Sequence, residues 1–584
     1  MYNNTQHTFI SHDGTALFYQ HWENAEPKRN RKKKAVILFH RGHEHSGRMA
    51  HLVEELGLNE FDFFAWDARG HGQSPGERGD APSFSACVHD IQYFVQHLHA
   101  EYNIQPENIA IVAQSVGAVL AATWVHDYAP KIRALCLASP AFDIKLYVPF
   151  AKPGLNLLSK VRGNFFINSY VKAKMLTHDQ ERAKSYDTDP QIARAISVRM
   201  LLGLYAASER IVQDAQHIFV PTQILCSGSD FVVQQKPQRE FYAKLPHPLK
   251  EFHVLDGFYH DTLGEKQRQI ATDKIRRFIM QCFAQNYAAP NVLNADKIGS
   301  SCAVAETLSS TLPKNSLKHA FWNLTKQNLK IGSIFSSGLK IGENTGYDSG
   351  STLDFVYRNR AESSNPIGKL IDRQYLNAIG WRGIRVRKQN IEAMLKKYAN
   401  QIIQNHQAVR IMDIAAGHGR YILDAVQQLP QQPDSILLRD YSNLNVEAGQ
   451  TMIEQRGLAD LAQFVQADAF DTASLASVEP KPTLAVVSGL YELFSDNDLL
   501  RKSLTGLSQA IESQGYLIYT GQIWHPQQEF IARALTSHRK GDAWVMRLRS
   551  QAEMDALVEQ AGFKKIDQVI DEFGIFTVSV AQKI

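Results

Sequence analysis

Cysteine is scarce in this chain, and its scarcity excludes two architectures. Among 584 residues there are five cysteines, Cys87, Cys136, Cys226, Cys282 and Cys302. They are odd in number, widely scattered and absent from the last part of the chain. Neither a disulfide framework nor zinc-ligand spacing can be built from them, which points to a reducing compartment. No His/Cys/Asp cluster has metal-ligand spacing either, so no metal is expected. Long apolar runs are missing too. None approaches the roughly 20 residues that span a bilayer, and the opening MYNNTQHTFISHDG has no apolar core of secretory length. The expectation is a cytoplasmic protein. A strong charge of one sign is also absent. The net charge is +4, which by itself gives no reason to expect nucleic acid. One local exception is the run Lys28, Arg29, Arg31, Lys32, Lys33 and Lys34. It reads either as a solvated loop or as a peripheral contact with anionic headgroups, each basic residue there contributing about 1 kcal/mol.

What is present is an ordinary globular composition, 44% apolar and 21% charged, at a length that exceeds one core of roughly 250–300 residues. Residues 1–280 alternate apolar strand runs with helical patterns. Thr8–Ile10 and Ala16–Tyr19 flank the turn His12-Asp13-Gly14. The runs at 35–40, 61–66, 108–113, 132–138, 222–228 and 250–257 follow, several of them apolar on both faces as buried parallel strands are. Helical patterns at 84–100 and 117–126 fit parallel crossovers. Residues 143–215 interrupt the alternation, where an inserted cap would sit. The polar, Ala- and Ser-rich stretch 286–315 reads as a linker and 316–384 as a helical extension. Residues 385–584 carry a second α/β pattern, with strands at 409–415, 435–440, 462–468, 483–489 and 515–521 and a closing antiparallel pair at 563–570 and 575–582.

Two constellations carry chemistry. In the first, Ala113-Gln114-Ser115-Val116-Gly117 joins a strand run to a helical run, the position of a nucleophile elbow. A hydroxyl needs a base, an orienting acid and donors for the oxyanion. Asp230 ends a later strand and His260 follows the last one, in the order Ser, Asp, His. Asp256 and Asp261 are competing acids, and His253 lies inside a strand run. The segments HRGHEHSGR (40–48), DARGHGQSPG (67–76) and LTHDQERAKSYDTDP (176–190) resemble those of monoglyceride lipase and lysophospholipase-like α/β-hydrolases. The resemblance implies an α/β-hydrolase fold with a helical cap, cleaving a monoacyl lipid or similar small ester. It also implies an oxyanion hole from the backbone N–H groups of Gly42 and Val116. Two positions depart from that pattern, Arg41 where the family usually has glycine and Ala113 at the first position of the elbow.

In the second, Asp413-Ile414-Ala415-Ala416-Gly417-His418-Gly419 ends a strand and opens a helix, where backbone N–H groups are free to meet a ligand. Asp440 ends the next strand, placed to hold ribose hydroxyls, and Asp468 ends the third. Acids at these three strand ends resemble class I S-adenosylmethionine-dependent methyltransferases, a Rossmann-like fold closed by an antiparallel hairpin. The resemblance implies S-adenosylmethionine as cofactor. Asp413, Ala415, Gly417 and Gly419 would line its methionine and ribose side, Asp440 would hold the ribose, and Asp468 with Ala469 would face the adenine. Tyr491 and Glu492, after the fourth strand, are candidates to face a methyl acceptor whose identity is unreadable. The reading is a bifunctional hydrolase–methyltransferase in lipid metabolism. The alternative is one active domain with the other serving as a lipid- or cofactor-binding module.

Overall fold

The computed structural model describes residues 2–24, 32–145, 151–539 and 541–584. Lys28, Arg29 and Arg31 of the basic run lie outside them; within them, Lys34 pairs with Glu60 at 3.4 Å. The chain divides into two compact units, Met1–Pro290 and Asn291–Ile584. Among the described residues no helix is long and apolar enough to cross a membrane.

The first unit is built on an eight-stranded sheet. Its strands are β1 (Tyr2–Ile10), β2 (Ala16–Asn24), β3 (Lys34–Phe39), β4 (Phe61–Trp66), β5 (Ile109–Gln114), β6 (Ala134–Ala138), β7 (Thr222–Ser227) and β8 (Lys250–Leu255). They lie in the order β1-β2-β4-β3-β5-β6-β7-β8. From β4 across to β8 every pairing is parallel, while β1 and β2 join antiparallel. β4, β5, β6 and β7 are buried along their whole length, as strands covered on both faces must be. β1 is an edge strand, so its sequence is largely polar and exposed. The crossover helix Phe84–Tyr102 starts at Ser83, whose hydroxyl accepts from the Ala86 N–H at 3.0 Å. Between β6 and β7 the chain leaves the sheet to form the cap. The cap comprises helices Ala151–Arg162, Gln180–Thr188 and Val198–Gln213 and the short antiparallel pair Phe166–Asn168 and Ala195–Ser197.

The second unit carries a seven-stranded sheet. Its strands are β9 (Arg410–Asp413), β10 (Ser435–Asp440), β11 (Ala462–Gln466), β12 (Leu484–Val487), β13 (Tyr516–Gln522), β14 (Phe563–Ile570) and β15 (Phe576–Lys583). They lie in the order β11-β10-β9-β12-β13-β15-β14, with β15 antiparallel to both neighbours. The order reverses direction at β9, so the crevice beyond the carboxyl ends of β9 and β12 is the topological place for a ligand. Helices Leu317–Phe335, Ser337–Thr345, Gly350–Arg358, Pro366–Leu376 and Ile379–Gln404 lead into the sheet. The stretch 286–315 departs from the expected linker. It is helical over Ala295–Ile298 and Ser300–Ser309 and belongs mostly to this unit. Its alanines favour helix, and its polar side chains dock: Asp296 accepts from the Asn497 N–H at 3.0 Å and Ser301 from Arg547 at 3.0 Å.

Candidate active sites

β5 delivers Ser115 into a strand-to-helix turn with φ 55° and ψ −117°, a conformation that costs a non-glycine residue energy and aims its side chain out of the sheet. Ser115 is the cap of helix Val116–Tyr128, so the Val116 N–H, the first of the helix, has no intrahelical acceptor. A Cβ at Gly117 would overlap the His40 carbonyl, so only glycine lets this helix approach β3 so closely. Ala113, where the elbow pattern has glycine, is fully buried within the sheet.

Ser115 Oγ lies 2.8 Å from His260 Nε2, and His260 Nδ1 lies 2.8 Å from Asp230 Oδ2. The other oxygen of Asp230 accepts from the N–H groups of Val232 and Val233 at 2.7 and 2.9 Å. Burial alone would raise the Asp230 carboxyl, but the adjacent His260 and these hydrogen bonds hold it below the usual carboxylate range. All three side chains are buried. Of the competing acids, Asp256 is exposed and Asp261 turns away into an ion cluster. His253 pairs with Glu251 at 2.8 Å.

Gly42 packs against the elbow: a Cβ there would stand 2.9 Å from Val116 Cγ2. The Arg41 side chain, in place of the family's glycine, points into the interior. It grips Glu44 with two bonds of 2.8 and 2.6 Å, and it lies 3.7 Å from Asp261. Arg48 adds a 3.0 Å bond to Glu44, and Arg182 of the cap a 2.6 Å bond to Asp261. Burial pushes Glu44 up, but Arg41 and Arg48 overcome it and bring the carboxyl to about 2. This cluster ties the His-Gly loop, the cap and the residue after His260 together. Gln114 ties the loop of His260 and Asp261 to the elbow, donating to the His260 carbonyl and to Asp261, both at 3.1 Å. Arg41 and Asp261 were singled out from sequence, but Gln114 was not, nor were Glu44, Arg48 and Arg182, which complete the cluster. The buried polar residue inside the elbow pentapeptide was the available signal.

In the second unit, Asp413 is fully buried. Its carboxylate accepts from Tyr421 Oη at 2.5 Å and from the Ala415 N–H at 3.3 Å, and burial raises it to about 7. It shapes the loop from within rather than facing a ligand. Gly417 and Gly419 have φ of 57° and 73°, the left-handed region that glycine adopts without strain. Asp440 Oδ2 accepts from the Gly417 N–H at 2.9 Å. Its Oδ1 accepts from the Ser442 N–H and from Asn445, each at 2.9 Å. Three donors leave the carboxylate room for one ribose hydroxyl rather than two, until the Asn445 amide turns away. Asp468 is exposed and Ala469 buried at the end of β11. Helix Gly350–Arg358 begins on the cradle: a Cβ at Gly417 would stand 3.5 Å from the Gly350 Cα, and Asp354 pairs with Arg420 at 2.5 Å. Tyr491 turns inward and donates to Ser503 at 3.0 Å, whereas Glu492 lines a cavity.

His126, Asp214 and His217 come together although their spacing in the sequence gives no hint of it. Asp214 Oδ2 bonds both imidazoles at 2.9 Å, and Asp127 holds the far side of His126 at 2.7 Å. The arrangement is a hydrogen-bonded network joining the end of helix Val116–Tyr128 to the cap.

Residues 275–583 match the family described as "Putative methyltransferase". The chain belongs to this family. Residues 30–267 match a second family, described as "Serine aminopeptidase, S33". Over almost its whole length the chain is similar to the protein YnbC of Escherichia coli (strain K12), with 52% identity over 576 residues, 99% of this chain and 98% of that protein. The first unit is similar to the monoacylglycerol lipase of Mycolicibacterium smegmatis, 23% identical over 283 residues, covering 47% of this chain and 97% of that enzyme. It is also similar to the human monoglyceride lipase, 24% identical over 254 residues, covering 43% and 82%. A crystal structure of the monoacylglycerol lipase of Paleococcus ferrophilus covers 48% of this chain and 99% of its own, with 21% identity and a TM-score of 0.40. The chain thus joins an α/β-hydrolase fold, similar to monoglyceride lipases, to a methyltransferase-family domain.

Proposed function

We propose that this chain is two enzymes in one: a serine hydrolase that cleaves the ester of a monoacyl lipid or a similar small ester, and an S-adenosylmethionine-dependent methyltransferase. The observation that carries the first half is the unbroken line from Ser115 Oγ through His260 to Asp230, with both contacts at 2.8 Å. His260 Nε2 takes the Ser115 proton as Oγ attacks the ester carbonyl, then gives it to the leaving alcohol. Asp230 holds the imidazole by Nδ1 and offsets the charge it gains. The N–H groups of Val116 and Gly42 take the developing oxyanion. Water then attacks the acyl-serine with His260 again as base. The lipid half of the reading is supported by the cap helix Ala151–Arg162, which exposes Leu157 and Val161 beside Lys160 and Arg162. That pairing of apolar and basic residues suits an amphiphile at an anionic surface.

The donor set of the second unit fits S-adenosylmethionine. An acid ends β10 beside a glycine-rich turn, and a further acid stands exposed after β11. When bound, the cofactor supplies an electrophilic methyl group on sulfur. Gly417 and Gly419 let the backbone approach it, Asp440 accepts a ribose hydroxyl, Asp468 and Ala469 face the adenine, and helix Gly350–Arg358 shuts out water.

Two measurements test the proposal. Incubation with a fluorophosphonate is expected to label wild type and not Ser115→Ala; an unlabelled wild type sinks the hydrolase half. Calorimetry is expected to show S-adenosylmethionine binding that Asp440→Ala weakens; a folded wild type that binds none sinks the other half.

A further inference from the structure

The second unit holds an apolar cavity of about 350 Å³ beside the turn after β12, within the roughly 300–1,000 Å³ range of small-molecule sites. Leu339, Leu353, Ile384, Ile531, Trp544 and Met546 form much of its wall. These residues come from the helical extension, from helix Ile379–Gln404 and from the segment after β13. The largely apolar wall favours an alkyl or ring body over a sugar or a nucleotide.

One end of the cavity is polar, and its polar groups are incomplete. Glu492 is 7% exposed. Its Oε1 accepts from Thr520 Oγ1 at 2.8 Å, and that oxygen in turn accepts from the Gly489 N–H at 2.9 Å, so the carboxylate is fixed in place. Its Oε2 is buried without a partner. Arg387 is 3% exposed, stands 3.8 Å from Glu492 and lies over the Phe576 ring. Its Nε–H is likewise buried without a partner. Glycine at 489 makes room for this guanidinium, since a Cβ there would stand 3.0 Å from its NH2. Asp348, also on the wall, is already held by Ser537 and by the His538 N–H, each at 2.6 Å. His525 is pushed down to about 4 by burial and is neutral.

A buried acceptor and a buried donor left open on two side chains 3.8 Å apart each cost free energy unless a ligand meets them. A carboxylate would satisfy Arg387 and repel Glu492. An ammonium would do the reverse. A hydroxyl donates to Oε2 and accepts from Nε–H. We infer that this cavity binds an amphiphile with an alkyl or ring body and a hydroxyl head, seated between Glu492 and Arg387. On the methyltransferase reading, on which this role rests, that hydroxyl is the methyl acceptor. Its O–H bond breaks as an O–CH3 bond forms, the proton passes to Glu492 Oε2, and the carbon–sulfur electron pair stays on sulfur. Helix Leu317–Phe335, which contributes Leu329 to the wall, exposes Leu317, Phe321 and Leu324, an apolar approach for such a molecule.

The test uses the full chain and three decyl probes that differ in the head: 1-decanol, decanoate and decylamine, titrated by calorimetry near neutral pH. 1-Decanol is expected to bind roughly tenfold tighter than either charged probe. Ala378→Trp, which fills the cavity, is expected to remove that binding. Glu492→Gln, of nearly the same shape, is expected to abolish the preference and to improve decanoate. Equal binding of all three probes overturns the inference, and so does alcohol binding that Ala378→Trp leaves unchanged. Should the tryptophan variant fail to fold, an alcohol preference that survives Glu492→Gln overturns it equally. A separate titration with S-adenosylmethionine distinguishes the readings. A chain that prefers the alcohol but binds no cofactor keeps the amphiphile site and loses the methyltransferase role.

Discussion

The two units solve opposite problems. In the first, each side chain of the triad meets another group of the same chain: Ser115 meets His260, His260 meets Asp230, and Asp230 meets two backbone N–H groups. In the second, polar groups around the cavity are buried yet open, Glu492 Oε2 and Arg387 Nε among them. A nucleophile and its base must be activated before substrate arrives, so their hydrogen bonds are internal. A site that brings two ligands together is completed by those ligands. The first unit is therefore expected to react by itself, and the second to be stabilised by what it binds.

This contrast can be broken at several points. The largest effect is expected from Ser115→Ala, which should lower ester hydrolysis by about 10⁴-fold or more while leaving S-adenosylmethionine binding and the melting temperature unchanged. Steady-state assays and calorimetry on one preparation check this. Glu44→Gln comes next. It removes the buried charge that Arg41 and Arg48 share and leaves Arg41 only Asp261 at 3.7 Å, for an expected loss of about 3–5 kcal/mol in the first unit, read by denaturant unfolding. Asp440→Ala follows, with cofactor affinity falling roughly 10–100-fold and hydrolysis untouched; a loss of hydrolysis would mean that the sites are not independent. The smallest is a pH effect. Glu44 sits at about 2 in the fold against a usual 4.5, so its contribution is complete above about 4.5 and fades as pH falls from there towards 2. Acid unfolding of wild type should steepen across that window, and Glu44→Gln should flatten it.

The same contrast explains what the sequence revealed. Buried parallel strands announce themselves: 61–66 and 435–440 were read with the bounds the fold shows. The start of β1 was missed because an edge strand can be polar, as Tyr2–His7 largely is. Ser115, Asp230 and His260 were legible because each follows a strand, in a fixed order along the chain. Asp261 could not be set aside from sequence, since Arg41 and Arg182, which claim it, lie far from it in the chain. Helices 295–309 were read as linker because Ala, Ser and Asn suit either state, and only Arg547 and Asn497 decide between them. Of the cavity, only Glu492 was read from the sequence, by its place after the fourth strand. The wall runs from Leu329 to Phe576 through several helices, and the basic, aromatic stretch holding Trp381 and Arg387 gave no hint of facing inward.

The most direct test is intact-mass measurement after fluorophosphonate treatment, with and without S-adenosylmethionine. A single adduct on Ser115, formed at the same rate in both conditions and absent from Ser115→Ala, is the predicted result. No adduct on the wild type, or an adduct that survives Ser115→Ala, would contradict it.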